Sequence, residues 1–108
     1  MNPTLTLDTS GVVRMWSREA EALLGYSAAE AVGRSIEFII PPELRGRHSA
    51  GFSRYVKTGV SNLPEIAISP AVHKSGAITK VQVSMYPVHD ELQQIVAVQA
   101  VMRPLGAG

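Results

Sequence analysis

Residues 77–103 constrain most tightly what this chain can fold into. From Ala77 to Val88, Val81, Val83 and Met85 alternate with Lys80, Gln82 and Ser84. From Gln94 to Arg103, Val96, Val98, Ala100 and Met102 share one face and Gln99 takes the other. A period of two is strand geometry with one face buried, and Asp90-Glu91 between the runs is turn chemistry. The spacing predicts an antiparallel pair with Val81, Val83, Met85, Val96, Val98, Ala100 and Met102 on its inner face. An apolar sheet face of that size has to be covered by a second layer.

The rest of the chain supplies that layer and three more strands. Thr4 to Asp8 and Val12 to Trp16 are β-prone runs joined by Asp8-Thr9-Ser10-Gly11, a turn in which Gly11 is free to take positive φ. Ser17 is a good N-cap, with Glu19 and Glu21 in the first turn of a helix that ends at Gly25. Trp16 is expected to pack at that strand–helix junction. Ser27 with Glu30 is a capping-box pattern opening a short helix that closes at Gly33. The apolar run Ile36 to Ile40 is stopped by Pro41-Pro42. Leu63 to Val72 predicts a further strand, and Pro70 makes it an edge or bulged one. Alternation there points Ile66 and Ile68 inward and Ala67 outward. Lys74-Ser75-Gly76 is a tight turn.

The element order β-β-α-α-α-β-β-β defines an α+β class. It predicts a five-stranded antiparallel sheet with short helices and one longer helix covering one face. At 108 residues, 45% hydrophobic and 18% charged, the chain makes one globular domain over residues 1–108. A net charge of +1 gives no basic footprint for nucleic acid. The absence of cysteine excludes disulfides, thiolate metal sites and a cysteine nucleophile. No apolar run reaches membrane-spanning length and the first residues lack signal-peptide regions, so a cytoplasmic location is the default expectation.

The longer helix, Pro41 to Gly59, carries the one unusual residue. Leu44, His48, Gly51, Phe52, Tyr55 and Val56 recur at one-face spacing, while Glu43, Arg45, Arg47, Arg54 and Lys57 take the other side. An imidazole on an inward face is either a hydrogen-bonded core histidine or a ligand. His73 and His89 fall beside turns and are expected to be solvated. Met85 and Met102 are expected as core filler. Enzyme chemistry has no support: there is no Gly-rich phosphate loop, nucleophile elbow or HExxH motif.

The whole chain resembles a PAS domain. The matching marks run in order: Asp8-x-x-Gly11, Val12-Val13-x-x-Trp16, Ala20-Glu21-x-Leu23-x-Gly25-Tyr26-Ser27 and Glu30-Ala31-Val32-Gly33-Arg34. They continue with Ile40-Pro41, Thr58-Gly59, His73-Lys74-x-Gly76 and Pro87-Val88. The resemblance implies a sensory and dimerisation module, not an enzyme. Within the family, Pro41-Pro42-Glu43-Leu44-Arg45-Gly46-Arg47-His48 followed by Ser53-Arg54-Tyr55 is similar to the bacterial haem-binding PAS sensors of the oxygen-sensing kinase type. In those proteins a histidine at the place of His48 coordinates haem iron.

The resemblance thus implies haem b with His48 as metal ligand, in a pocket of Leu44, Phe52, Tyr55, Val83, Met85 and Val98, the sixth iron ligand being left open. The ligand sensed would be a diatomic gas, or the domain would report redox state. The oxygen sensors carry a hydrogen-bonding arginine on the following strand, at a position that corresponds to Ala67, which has no donor. Glu65 lies two residues earlier, where some relatives place a methionine sixth ligand. An apolar pocket of Val83 and Met85 would favour carbon monoxide or nitric oxide. The alternative is a cofactor-free PAS module acting in dimerisation or small-organic-ligand sensing. Its partner surface would be the outer sheet face, with Gln82, Ser84, Tyr86, Gln99 and Val101, forming a homodimer. In either case the domain is expected to be excised from a larger signalling protein that carries an effector domain.

Overall fold

The computed structural model describes residues 2–60 and 67–105. Strand β1 (Thr4–Asp8) turns through Gly11 at φ 81° into β2 (Val13–Trp16). The Asp8 carboxylate holds that turn by accepting from Ser10 N–H at 2.9 Å and Val12 N–H at 3.0 Å. Helix α1 (Arg18–Leu24) starts where Ser17 Oγ accepts from Ala20 N–H at 3.1 Å and ends at Gly25 in the left-handed conformation. Helix α2 (Ala28–Ala31) opens on a complete capping box between Ser27 and Glu30 and closes at Val32, one residue before the expected Gly33. The apolar run that follows is a 3-10 helix (Ile36–Ile39), and a second one (Pro42–Leu44) leads into α3 (Arg45–Thr58). Gly59 ends α3 with φ 73°.

Strands β3 (Ala67–Val72), β4 (Ile78–His89) and β5 (Ile95–Pro104) complete one antiparallel sheet in the order β2-β1-β5-β4-β3. The two ends of the chain therefore pair in the middle of the sheet, Thr4 opposite Val101 and Asp8 opposite Ala97. Leu5, Leu7, Val13, Trp16, Ala71, Val81, Val98, Ala100 and Met102 are buried on one face of the sheet, and Ala20, Leu24, Ala31, Ile36 and Ile39 from the helical layer are buried with them. The predicted strand pair and the helical cover are both present. The predicted strand from Leu63 begins at Ala67 among the described residues, and Leu63, Glu65 and Ile66 lie outside them. Pro70 sits in an edge strand, where its missing N–H costs no ladder bond.

Two expectations about direction are corrected. Val96 is 46% exposed, because Val88 pairs with Ala97 and His89 with Ile95, which leaves Val96 as the extra residue of a bulge. In β3 the parity is the reverse of the predicted one. Ala67 is buried opposite Val83, and Ile68 is 63% exposed opposite Gln82. The register with β4 sets that parity, and the strand's own sequence carries no signal for it.

Candidate functional site

Helix α3 is held loosely for its length. Of its fourteen residues only Tyr55 is fully buried, while His48, Phe52 and Val56 are half-covered. Gly51, expected on the inner face, is exposed. The helix touches the sheet at the turns. The Phe52 ring sits over the β1–β2 turn, so that a Cβ on Gly11 would meet it at 3.8 Å, and Gly59 lies against Ile95 at the start of β5. Leu44, at the N-cap, is half-buried.

His48 stacks on Phe52 one turn further along, with ring centroids 6.3 Å apart and planes 13° from parallel. Burial holds its imidazole below the usual 6.5, and the charge of Glu37 opposes that shift only in part. At neutral pH the ring is therefore uncharged with a free lone pair, the form that binds metal. The Tyr55 hydroxyl is pushed above 10.0 by burial and stays protonated.

The predicted strand residues divide into two groups. Val98 is sealed at 0% exposed, opposite Leu7, and Val81 and Met102 are sealed within the main core cluster. Val83 and Met85, opposite Met102 and Ala100, are only half-covered. An apolar strip of β4 and a loosely docked helix with a neutral imidazole thus lie on the helical side of the sheet. Phe52 and Val83 pack against the same core cluster. His48 offers a single uncharged nitrogen donor beside one aromatic ring, with partly exposed apolar side chains on the same side of the sheet, which is the chemistry a flat apolar cofactor with one metal centre would need. Among the described residues no group of three or more His, Asp or Glu gathers to hold a metal by side chains alone.

Periodicity misplaced Arg45 as well as Gly51. Arg45, assigned to the solvated side of the helix, is half-buried, and its Nε–H is shared between the carbonyl oxygens of Glu37 at 3.1 Å and Ile40 at 3.0 Å. Backbone acceptors leave no side-chain signature, so only the fold reveals them. The effect of Glu37 on His48 likewise depends on how the 3-10 helix meets α3 and has no local sequence signal. His73 is more engaged than a solvated turn residue. Its Nδ1 accepts from Ser75 N–H at 3.0 Å while the ring covers Gly25. His89 ends β4 exposed, at the rim of a cleft of ≈370 Å³ between the α3 C-terminus and Gln93–Ile95. Trp16 packs as expected, 5% exposed, with Nε1–H donated to the Tyr26 carbonyl at 2.9 Å.

The profile of the PAS fold family matches residues 2–105. The chain belongs to the PAS family. Its PAS fold is also that of a solved PAS domain from Colwellia psychrerythraea, at TM-score 0.82 and 20% identity, covering 96% of this chain and 86% of that one. The PAS domain of the RpfR quorum-sensing receptor of Cronobacter turicensis, solved in complex with C12:0, superposes at TM-score 0.79 and 14% identity, covering 98% of this chain and 96% of that one. Sensor protein FixL of Bradyrhizobium diazoefficiens is 35% identical over 54 residues, which is 50% of this chain and 11% of that protein. This PAS chain thus spans about a tenth of the length of the curated relative it matches. No described helix is long and apolar enough to cross a membrane.

Proposed function

We propose that this PAS domain is the sensory part of a larger bacterial signalling protein and holds haem b through His48. The observation that carries the reading is the neutral, half-buried imidazole of His48, stacked on Phe52 on a helix that buries one residue in fourteen. Bound there, haem would supply an iron centre for a diatomic gas or for a change of redox state. His48 would hold the iron with its neutral nitrogen, and Phe52 keeps the imidazole in plane. Leu44, Val83 and Met85 would exclude water, with Tyr55 and Val98 forming the sealed floor. Ala67, buried and without a donor, would offer no hydrogen bond from β3 to a gas, which would favour carbon monoxide or nitric oxide over oxygen. The match to a sensor protein over half the chain supports the reading. The signal would pass to an effector domain of the same protein, in the cytoplasm, by a shift of conformer populations.

The absorption spectrum of protein produced with haem supplied tests this. A Soret band that is lost or moved in His48→Ala is expected; a wild type without the band, or a band indifferent to the substitution, sinks the reading.

A cofactor-free module working as a homodimer or on a small organic ligand is the second reading. A specific observation favours it: the outer sheet face leaves Tyr86 53%, Val88 44% and Ile68 63% exposed. On that face Asn2, Gln82, Ser84, Tyr86, Val101 and Arg103 line a shallow hollow of ≈220 Å³. The Cronobacter domain of the same fold was solved in complex with C12:0, which supports the small-ligand version. Light scattering after size exclusion decides the dimer version, which a strict monomer at high concentration would exclude.

A further inference from the structure

Helix α3 continues directly from the 3-10 helix Pro42–Leu44, whose start signals are a proline in its first turn and acidic Glu43, with no side chain capping either helix. The N-cap of α3, Leu44, makes no side-chain capping bond, and no acidic residue stands in the first turn of α3. Pro41, the N-cap of the 3-10 helix before it, has no polar side-chain group to cap with. The first amide groups of a helix have no intrahelical partners, so such a start is weakly held unless something else fixes it. Arg45 does so from within the first turn. Its Nε–H reaches the Glu37 carbonyl at 3.1 Å and the Ile40 carbonyl at 3.0 Å.

Glu37 belongs to the Ile36–Ile39 helix and Ile40 is that helix's C-cap. Ile36 and Ile39 are themselves 5% exposed in the core. The anchor therefore ties the start of α3 to a segment the core holds still. Among the described residues, these are the only side-chain hydrogen bonds that join α3 to another element. Charged donors make the stronger hydrogen bonds, and a guanidinium keeps its charge at any working pH.

Arg45 stands three residues before His48, one helical turn earlier and on a neighbouring strip of the surface. We propose that Arg45 is a positioning residue. By fixing where α3 starts on the Ile36–Ile39 helix, it sets the reach and rotation of His48 toward a bound haem iron. The proposal rests on the haem reading for its consequence and on the hydrogen-bond geometry for its cause. Nothing in the resemblance that points to His48 assigns this role to Arg45.

The test compares Arg45→Met, which keeps length and removes the donor, with Arg45→Lys, which keeps a cationic donor, and with Arg47→Ala as an exposed neighbour. Two measurements are made, after circular dichroism has shown each variant folded. The first is amide hydrogen exchange in the haem-free protein. In Arg45→Met, residues 45–50 are expected to exchange about tenfold faster than in the wild type, with β4 and β5 unchanged. The second is titration with haemin. Arg45→Met is expected to bind about tenfold more weakly and to show a mixture of histidine-ligated and unligated spectra. Arg45→Lys should restore part of both effects, and Arg47→Ala should show neither.

Wild-type exchange in α3 of Arg45→Met overturns the anchor. Faster exchange with an unchanged haem spectrum and affinity overturns the positioning role while the haem reading stands. A wild type that takes up no haemin overturns the haem reading and the positioning role together, and the exchange measurement still decides the anchor. If Arg45→Met does not fold, Arg45→Lys decides by the same criteria, with smaller shifts expected.

Discussion

The ring of His73 covers the backbone of Gly25: a Cβ built on that glycine would stand 2.7 Å from His73 Cε1 and 2.8 Å from Nε2. Gly25 is also in the left-handed region at φ 82°, where it closes α1 with its N–H on the Glu21 carbonyl at 2.8 Å. The β3–β4 turn is thereby seated on the end of α1, and Lys74 N–H reinforces the seat by donating to the Leu24 carbonyl at 2.9 Å.

Gly25→Ala should therefore cost more than the ~1–2 kcal/mol of left-handed strain alone. His73→Ala in the same chain should return the collision part, leaving a coupling of roughly 0.5–3 kcal/mol between the two sites. Urea denaturation of both single variants and the double variant measures it; strict additivity would show that the ring moves aside freely.

Glu30 is bonded to Lys74 at 2.5 Å and to Ser27 N–H at 2.9 Å. Lys74 first and the Ser27 amide second lower its pKa from 4.5 to about 2. A depressed carboxylate stabilises the fold above its unfolded pKa, and the gain disappears as pH falls through the folded value. The melting temperature of the wild type should exceed that of Glu30→Gln above pH 4.5, and the gap should close toward pH 2. Glutamine can still cap Ser27, so the difference isolates the charge. The pair is exposed, so the gap at neutral pH should be small.

Ser17 does two things at once. Its Oγ accepts from Ala20 N–H at 3.1 Å to start α1 and from Thr4 N–H at 2.9 Å to start β1. Ser17→Ala should lose roughly 1–2 kcal/mol, toward the upper end for a cap because two donors are orphaned. Denaturant midpoints check this, with Ser17→Asp expected to recover most of the loss.

Val81 and Val83 are two residues apart on the same face of β4, yet Val81 is 1% exposed and Val83 is half-covered. Val81→Ala should cost about 2 kcal/mol and Val83→Ala clearly less. Equal losses in haem-free protein would mean that the strip beside Val83 is as tightly packed as the core.

Much of the fold is written in local chemistry. The caps at Ser17 and Ser27, the left-handed stops at Gly25 and Gly59, and the alternation along β4 each act within a few residues and could be read from them. Val96 and Ala67 could not, because a bulge and a strand register depend on the partner strand. The site divides along the same line. His48 and Phe52 are one turn apart, and their pairing follows from helical periodicity. The anchor at Arg45 uses carbonyl oxygens, which every residue carries, and so has no pattern to detect.

The central place of β1 beside β5 has a topological consequence. Thr4 faces Val101, and Met102 N–H donates to the Pro3 carbonyl at 2.8 Å. The polypeptide comes in and goes out side by side at the same end of the central strand β5 and its neighbour β1. A short glycine bridge could close the loop there, and fresh ends could be opened at the exposed Asp90–Gln93 turn without cutting any helix. For the same reason, segments fused before Pro3 and after Leu105 would start as neighbours, and a slip between these two strands would move both together.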